Sequence, residues 1–263
     1  VPIYTEDYPY KDLSSISFSN VTVSIYNRKK TAELKGDLLL THDCFSGPAI
    51  LNISRYAKAG GRLVLRYLPD MDAEVLRKEL TRFGQGSPKT LSSILYDCLN
   101  ANTANGAAAL PRRFLEVLCR RCGVDPGEKF TRVSGGDIKA IAGLLAGDAF
   151  VISHTGGYNI AMVTSGGISL DEIQLKTLES KRYPGLYFAG EVLDADGDTG
   201  GYNLQFAFSC GHLAAGEAER QERVPRHARA PLRREHRAAV ALEIQALHTS
   251  EVGICRHVAD IYG

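Results

Sequence analysis

Tyr183 to Glu217 read Y-P-G-L-Y-F-A-G-E-V-L-D-A-D-G-D-T-G-G-Y-N-L-Q-F-A-F-S-C-G-H-L-A-A-G-E. This run predicts a strand, an acidic loop, a glycine pair and a helix in succession. The apolar residues 186–189 follow a Pro-Gly turn and suit a short buried strand. Gly200 and Gly201 precede a helical pattern whose apolar face is predicted to contain the following residues: Leu204, Ala207, Phe208, Leu213 and Ala214.

The glycine pair and a nearby carboxylate favour a ligand site. Glycines at the start of a helix let backbone N–H groups approach a ligand, and the helix dipole adds partial positive charge there. Glu191, at the end of the predicted strand, is placed to accept hydrogen bonds from sugar-like hydroxyls. These parts suit one half of a flavin dinucleotide. The alternative is a buried α/β core with a glycine turn and no ligand.

Three segments of the chain carry a family resemblance. They are residues 185–209 of the stretch above, G-D-L-L-L-T-H-D-C-F-S-G-P-A-I-L at 36–51, and T-S-G-G-I-S-L-D-E-I-Q-L-K-T-L-E-S-K at 164–181. In this order and spacing they resemble the BaiN/RdsA-like (YhiN-type) NAD(P)/FAD-dependent oxidoreductases, over about residues 1–216. The resemblance implies a flavoprotein oxidoreductase that uses FAD to transfer hydride or electrons between NAD(P)H or oxygen and a small organic substrate.

The resemblance also implies site residues. The cofactor-binding set is Gly166, Gly167, Gly190, Glu191, Asp194, Gly200, Gly201, Tyr202, Asn203 and Leu204. His42, Ser46 and Tyr158 are candidates on the substrate side. No residue is assigned as a catalytic acid or base, and no metal site is expected.

The fold class expected is α/β, in an α+β fragment. Residues 1–163 form an inserted substrate or cap domain, β-rich over 14–68 and helical over 70–147. Residues 164–218 form the C-terminal part of a Rossmann-like FAD-binding domain, and 219–263 form an atypical or disordered Arg-rich tail. No G-x-G-x-x-G follows a strand, so we expect a fragment that lacks the βαβ unit for the FAD pyrophosphate. Alone, this fragment is expected to bind FAD poorly or not at all and to be inactive.

Local patterns within the first domain predict its elements. Apolar positions change from even to odd at Asn20-Val21, which indicates a β-bulge between strands 15–26 and 32–41. Four amphipathic helices are predicted at 71–83, from 87, at 112–122 and at 137–145. Further strands are predicted at 63–68, 150–153 and 159–163.

Composition narrows the function classes. The 263 residues carry a formal net charge of +1, which argues against a nucleic-acid or membrane-surface binder. No apolar run reaches the ~20 residues that span a bilayer. Cys119 and Cys122 form a lone C-x-x-C, which favours reduced thiols in a cytoplasmic protein over a redox pair or a zinc site. A non-catalytic ligand-binding module and a nucleic-acid binder using the basic tail remain alternatives.

Overall fold

The computed structural model describes residues 1–101 and 110–223. They form two units, divided between Met162 and Val163. The predicted Arg-rich tail lies outside the described residues from 224 onward, and residues 219–223 belong to a helix.

A closed six-stranded barrel begins the first unit. Its strands are β1 (Ile3–Thr5), β2 (Ser17–Asn27), β3 (Lys29–Leu40), β4 (Phe45–Ser46), β5 (Arg62–Arg66) and β6 (Asp148–Thr155). The order around the barrel is β1-β4-β3-β2-β5-β6, and every pairing is antiparallel. Closure between β1 and β6 leaves no free edge strand in this barrel.

The predicted bulge in β2 is confirmed. The register with β3 shifts between Phe18 and Val21, and Asn20 adopts a φ of 64°. The extra residue keeps Phe18 and the odd-numbered Val21 and Val23 on one buried face. Asn tolerates this left-handed conformation better than most residues, because its short polar side chain can hydrogen-bond locally.

Five helices complete the first unit: α1 (Pro48–Ile53), α2 (Ala73–Gly84), α3 (Leu91–Ala101), α4 (Arg112–Arg121) and α5 (Gly135–Ala146). The four helices expected after residue 70 are therefore present. Asp72 caps α2 by accepting from the amides of Glu74 and Val75, at 2.9 and 2.8 Å. Ser134 and Asp137 form a capping box at α5.

The helices share one hydrophobic core with the barrel. The ring of Phe114 on α4 lies 4.7 Å from the Phe18 ring and 4.6 Å from the Tyr67 ring, between centroids. The strand that the sequence predicts at 159–163 is not formed. Residues Tyr158–Ile160 form a 3-10 turn, and the apolar Ile160 and Met162 are exposed, so the alternation there does not reflect a buried face.

A buried ion pair joins α4 to β6. Asp148 is 0% exposed. Arg121 binds its two carboxylate oxygens through separate guanidinium nitrogens, at 2.7 and 3.0 Å. The hydroxyls of Tyr10 and Tyr67 also donate to Asp148. The guanidinium carbon lies 5.3 Å from the ring centres of Tyr10 and Phe150. The cluster thus ties the barrel to its helices.

The second unit is built on a small core. A two-stranded hairpin, β7 (Ile173–Gln174) and β8 (Glu179–Ser180), lies beside the long helix α6 (Tyr202–Arg223). The core contains Ile173, Leu178, Leu193, Cys210 and Ala214.

The sequence prediction was wrong in two places in the second unit. The run 186–189 is not a buried strand, because its only bridge in the described chain joins Tyr187 to Glu179 in antiparallel register. The predicted apolar face of α6 is split. Ala214 is buried and Leu213 packs against the core as predicted, but Leu204 and Phe208 are 58% and 60% exposed. Phe206 and Cys210, which were not predicted, contribute to the core instead.

Candidate functional site

Two loops of the second unit lie side by side and contain half of the predicted cofactor-binding residues. Ile168 and Leu193 form a parallel bridge. The Ile168 amide donates to the Val192 carbonyl, and the Asp194 amide donates to the Ile168 carbonyl, both at 2.9 Å. The backbone therefore brings Gly166 and Gly167 next to the segment from Gly190 to Asp194.

Glycine is required where these loops meet. Gly167 has a φ of 135°, and a Cβ there would lie 2.5 Å from the Val192 carbonyl oxygen. A side chain at Gly167 would therefore separate the two loops. Gly190, with a φ of 77°, packs against Ala207 of α6, which would lie 3.5 Å from an added Cβ. The loops are thereby connected to the helix.

Hydrogen bonds between Glu191 and Thr164 join the segment 190–194 to the start of the neighbouring loop. Its Oε1 accepts from the Thr164 amide and from the Thr164 hydroxyl, both at 2.6 Å. The expectation that Glu191 accepts from ligand hydroxyls stays a prediction. One of its two carboxylate oxygens already has protein donors, so a ligand would share this carboxylate with Thr164. Glu191 is exposed, as is Asp194.

The glycine pair lies directly before α6 in left-handed conformations, with φ values of 141° at Gly200 and 87° at Gly201. A Cβ at Gly201 would meet no atom within 4 Å. The Asn203 side chain accepts from the Gly197 amide at 2.7 Å and donates to the Gly197 carbonyl at 2.9 Å. The acidic loop is therefore folded onto the first turn of α6.

The first turn of α6 can donate hydrogen bonds to an anionic or electron-rich group. The first amides of a helix have no intrahelical partner and carry the positive end of its dipole. Tyr202 and Leu204 in this turn are exposed, at 67% and 58%. The space over Gly201 is open, and the Tyr202 and Leu204 side chains beside it are not packed into a core. These features fit the glycine-rich part of a nucleotide-like cofactor site.

The substrate-side candidates all lie in the first unit. His42 is exposed in the loop between β3 and β4, and Ser46 lies in β4, where it pairs with Leu39. Tyr158 is 86% exposed after β6. Within the described residues no hydrogen bond joins these three side chains, so their shared role stays a prediction.

Sequence reasoning missed a group of reactive side chains beside His42. The rings of Tyr4 and His154 stack with centroids 4.4 Å apart. The Cys44 thiol lies 3.0 Å from the Thr41 hydroxyl. Burial raises the pKa of Cys44, and the pKa of Tyr4 is raised first by Cys44 and then by burial. The thiol and the phenol thus hold their protons at neutral pH and are potential proton donors.

Only Cys44 in this group had a sequence signal, since it lies in the motif at 36–51. Tyr4 and His154 are 150 positions apart along the chain. The pairing of β1 with β6, Tyr4 opposite His154, brings them together. Such long-range register has no local pattern in the sequence.

The C-x-x-C pair is not a reactive site. Burial raises the pKa of Cys119 to about 12 and also raises the pKa of Cys122, whereas redox pairs need a lowered thiol pKa. Within residues 1–101 and 110–223 the cysteines are free thiols. No group of three or more potential ligands in that part of the chain is arranged to hold a metal ion.

Among the described helices, none combines the length and apolar character that crossing a bilayer requires.

Curated relatives resemble this chain over most of its length. A ribosomal RNA dihydrouridine synthase of Escherichia coli is 34% identical over 186 residues, 71% of this chain and 43% of the relative. The Haemophilus influenzae protein of the same name is 34% identical over 184 residues, 70% of this chain and 42% of its own. A 3-dehydro-bile acid delta(4,6)-reductase of Clostridium scindens is 28% identical over 220 residues, 81% of this chain and 51% of its own. The chain thus spans about half the length of these relatives.

Two family descriptions cover the described units. The HI0933-like protein barrel and H2TH domain matches residues 1–163. The HI0933-like protein Rossmann domain matches residues 133–217. The six-stranded barrel and the glycine-rich loops before α6 lie within these matches, and the chain belongs to the HI0933-like protein family.

Proposed function

We propose that this chain is part of an FAD-dependent reductase that takes electrons from NAD(P)H. The observation that carries the proposal is the meeting of the Gly166–Gly167 loop with the segment 190–194 in the same unit as the paired glycines of α6. Five glycines with positive φ and one exposed carboxylate would form the cradle for the cofactor.

The second unit would hold the isoalloxazine and ribityl half of the cofactor. Glu191 accepts hydrogen bonds from ribityl hydroxyls, and Asp194 orders the loop beside it. The amides from Gly201 to Leu204 donate to the electron-rich edge of the ring system, where the helix dipole stabilises negative charge by about 0.3–1 kcal/mol. The chain contains no G-x-G-x-x-G, so we assign no residue to the adenosine half. When bound, the flavin supplies hydride-transfer chemistry.

The names of the relatives suggest a class of reaction. Dihydrouridine differs from uridine by two hydrogens across a ring double bond that is conjugated to a carbonyl group. A delta(4,6)-reductase, by its name, also saturates carbon–carbon double bonds. Both reactions add a hydride to one carbon and a proton to its neighbour. We propose this reaction class here and assign no residue as the proton donor.

Riboflavin binding tests the proposal on the whole chain. We expect saturable quenching of riboflavin fluorescence, competition by FAD, and no competition by AMP. Glu191→Ala should weaken binding about tenfold or more, because hydrogen bonds to charged groups contribute about 1.5–3 kcal/mol. Glu172→Ala is the matched control, since it removes one exposed carboxylate from the same unit.

Three results would overturn the assignment: no saturable quenching, equal competition by AMP, or equal affinity in the Glu191→Ala and Glu172→Ala variants. Riboflavin binding without NADH or NADPH oxidation, in the presence of FAD and a conjugated enone acceptor, would favour the alternative of a non-catalytic ligand-binding module.

A further inference from the structure

One end of the barrel carries a cluster of exposed cationic side chains, which we call the basic end. We propose that the basic end docks the protein on a membrane surface that carries anionic phospholipid headgroups. The docking is peripheral, and it goes beyond the proposed function because it involves no flavin. The members of the basic end, all exposed, are Arg28, Lys29, Lys30, Lys58 and Arg62.

Strand register and one loop contact bring these residues together. Tyr26 on β2 pairs with Lys30 on β3 and with Arg62 on β5. The Asn27 side-chain amide donates to the Tyr56 carbonyl at 2.9 Å. This bond attaches the tip of the β2–β3 hairpin to the loop that follows α1. Residues from three separate segments of the chain therefore form one continuous surface.

The basic end has little opposing charge. Neither 26–32 nor 53–66 contains an acidic residue. Glu33 forms an ion pair with Lys30, and Glu6 bonds to β6 through its backbone amide. The net charge of the surface stays positive when both glutamates are counted. Such a surface is attracted by the negative potential of anionic lipid headgroups.

An exposed aromatic ring lies beside the cations. Tyr56 is 45% exposed, and tyrosine suits the membrane–water interface because its ring is apolar and its hydroxyl is polar. The ring of Tyr26 is less available, since the Arg62 guanidinium carbon lies over it at 5.5 Å from its centre. A single-stranded nucleic acid needs free rings on which successive bases can stack. Cations with a shallow aromatic anchor therefore fit a lipid surface better.

Sedimentation of the full chain with vesicles tests the proposal. The probes are vesicles of phosphatidylcholine with and without phosphatidylglycerol, in about 50 to about 200 mM KCl, because salt screens surface charge. Binding should require phosphatidylglycerol and should weaken as salt is added. The triple variant Arg28→Ala, Lys29→Ala, Arg62→Ala should bind about 100-fold more weakly, since each cation near an anionic surface contributes about 1 kcal/mol.

The matched control removes the same charge elsewhere in the first unit. Lys78→Ala, Lys89→Ala, Arg132→Ala changes three exposed cations in the helical part. This variant should bind the anionic vesicles as the wild type does. Residues outside the described ranges are identical in every variant and contribute equally.

Two further comparisons separate a lipid surface from a phosphate site of fixed geometry. The double variant Arg28→Lys, Arg62→Lys should keep its vesicle binding, because attraction to headgroups needs the positive charge and not the planar guanidinium. Tyr56→Ala should weaken binding without changing its salt dependence. Tyr56→Phe should keep it, since the ring enters the headgroup layer.

Equal vesicle affinity of the two triple variants would refute the inference. Equal binding to vesicles without phosphatidylglycerol would also refute it. So would tighter binding of an oligouridylate than of the anionic vesicles at equal phosphate concentration, because the surface would then prefer a nucleic acid. Riboflavin titration of the same variants keeps the two proposals apart. Lost vesicle binding with intact riboflavin binding is the result expected here, whereas riboflavin binding that fails in every variant removes only the flavin proposal.

Discussion

Replacement of Arg121 by Ala should be among the most damaging changes in the first unit. Asp148 is fully buried, and Arg121 is the cation that the structure pairs with it. Burial lowers the pKa of Arg121, but its hydrogen bonds to Asp148 more than offset this, so the pKa lies above its ordinary value. Without the guanidinium, a buried carboxylate would keep only tyrosine hydroxyls as partners.

The magnitude follows from the burial of the pair. Removing one partner of a buried ion pair costs about 3–5 kcal/mol, against a total stability of about 5–15 kcal/mol for a typical protein. With a urea dependence of about 2 kcal/mol per molar, the midpoint of unfolding should fall by about 1.5–2.5 M. Arg121→Lys should lie between, because an ammonium keeps the charge but loses the two-pronged contact.

Tyrosine fluorescence under urea measures the effect, since the chain has 12 Tyr and no Trp. The control is Arg120→Ala, the next residue on α4, whose exposed ion pair with Glu116 spans 3.8 Å. Exposed pairs contribute about 0–1 kcal/mol. A midpoint for Arg121→Ala that matches Arg120→Ala would refute the reasoning. So would an additive double variant with Asp148→Asn, because paired residues should couple.

Two further perturbations follow from burial and backbone geometry. Burial raises the pKa of Cys98 to about 11, so its neutral thiol stabilises the fold below pH 9 and this contribution, up to about 2–3 kcal/mol, is lost as the pH rises toward 11. Wild type should therefore lose more stability than Cys98→Ala between these pH values in urea titrations, and parallel curves would contradict the burial argument. Gly47→Ala should cost more than Gly60→Ala by equilibrium unfolding. Both have positive φ, but only at Gly47 would a Cβ meet backbone, 2.7 Å from the Leu39 nitrogen. Equal losses would mean that the strain of a positive φ, about 1–2 kcal/mol, is the whole effect.

Local patterns predicted much of the first unit. The change of apolar positions at Asn20 predicted the bulge, and the helical pattern at 71–83 predicted α2. The closed barrel could not be predicted, because β1 and β4 have only three and two residues and show no periodicity. The contact of Tyr10 with Asp148 joins positions 138 apart.

The candidate site was only partly predictable for the same reason. The glycine pair before α6 was recognised from the sequence, and Gly200 and Gly201 both adopt the positive φ that glycine tolerates. The hydrogen bonds from Thr164 to Glu191 depend on tertiary contact and have no sequence signal. Leu204 and Phe208 were assigned to a buried face because helical spacing shows that a stripe is apolar, but not what it packs against.

The net charge of the whole chain did not indicate the local group of cations on the barrel. The value of +1 for the whole chain led to an expectation against a nucleic-acid partner, which no finding tests. Charges average along a sequence but act locally on a surface. Arg28, Lys29 and Arg62 come together at one end of the barrel, although the chain as a whole is nearly neutral.

The first and last strands of the barrel, β1 and β6, are neighbours, so the chain enters and leaves the barrel at the same place. Ile3 pairs with Thr155, and the Gly156 amide donates to the Pro2 carbonyl at 2.9 Å. A module whose two ends run as neighbours can be spliced into a single surface turn of a host protein without stretching that turn.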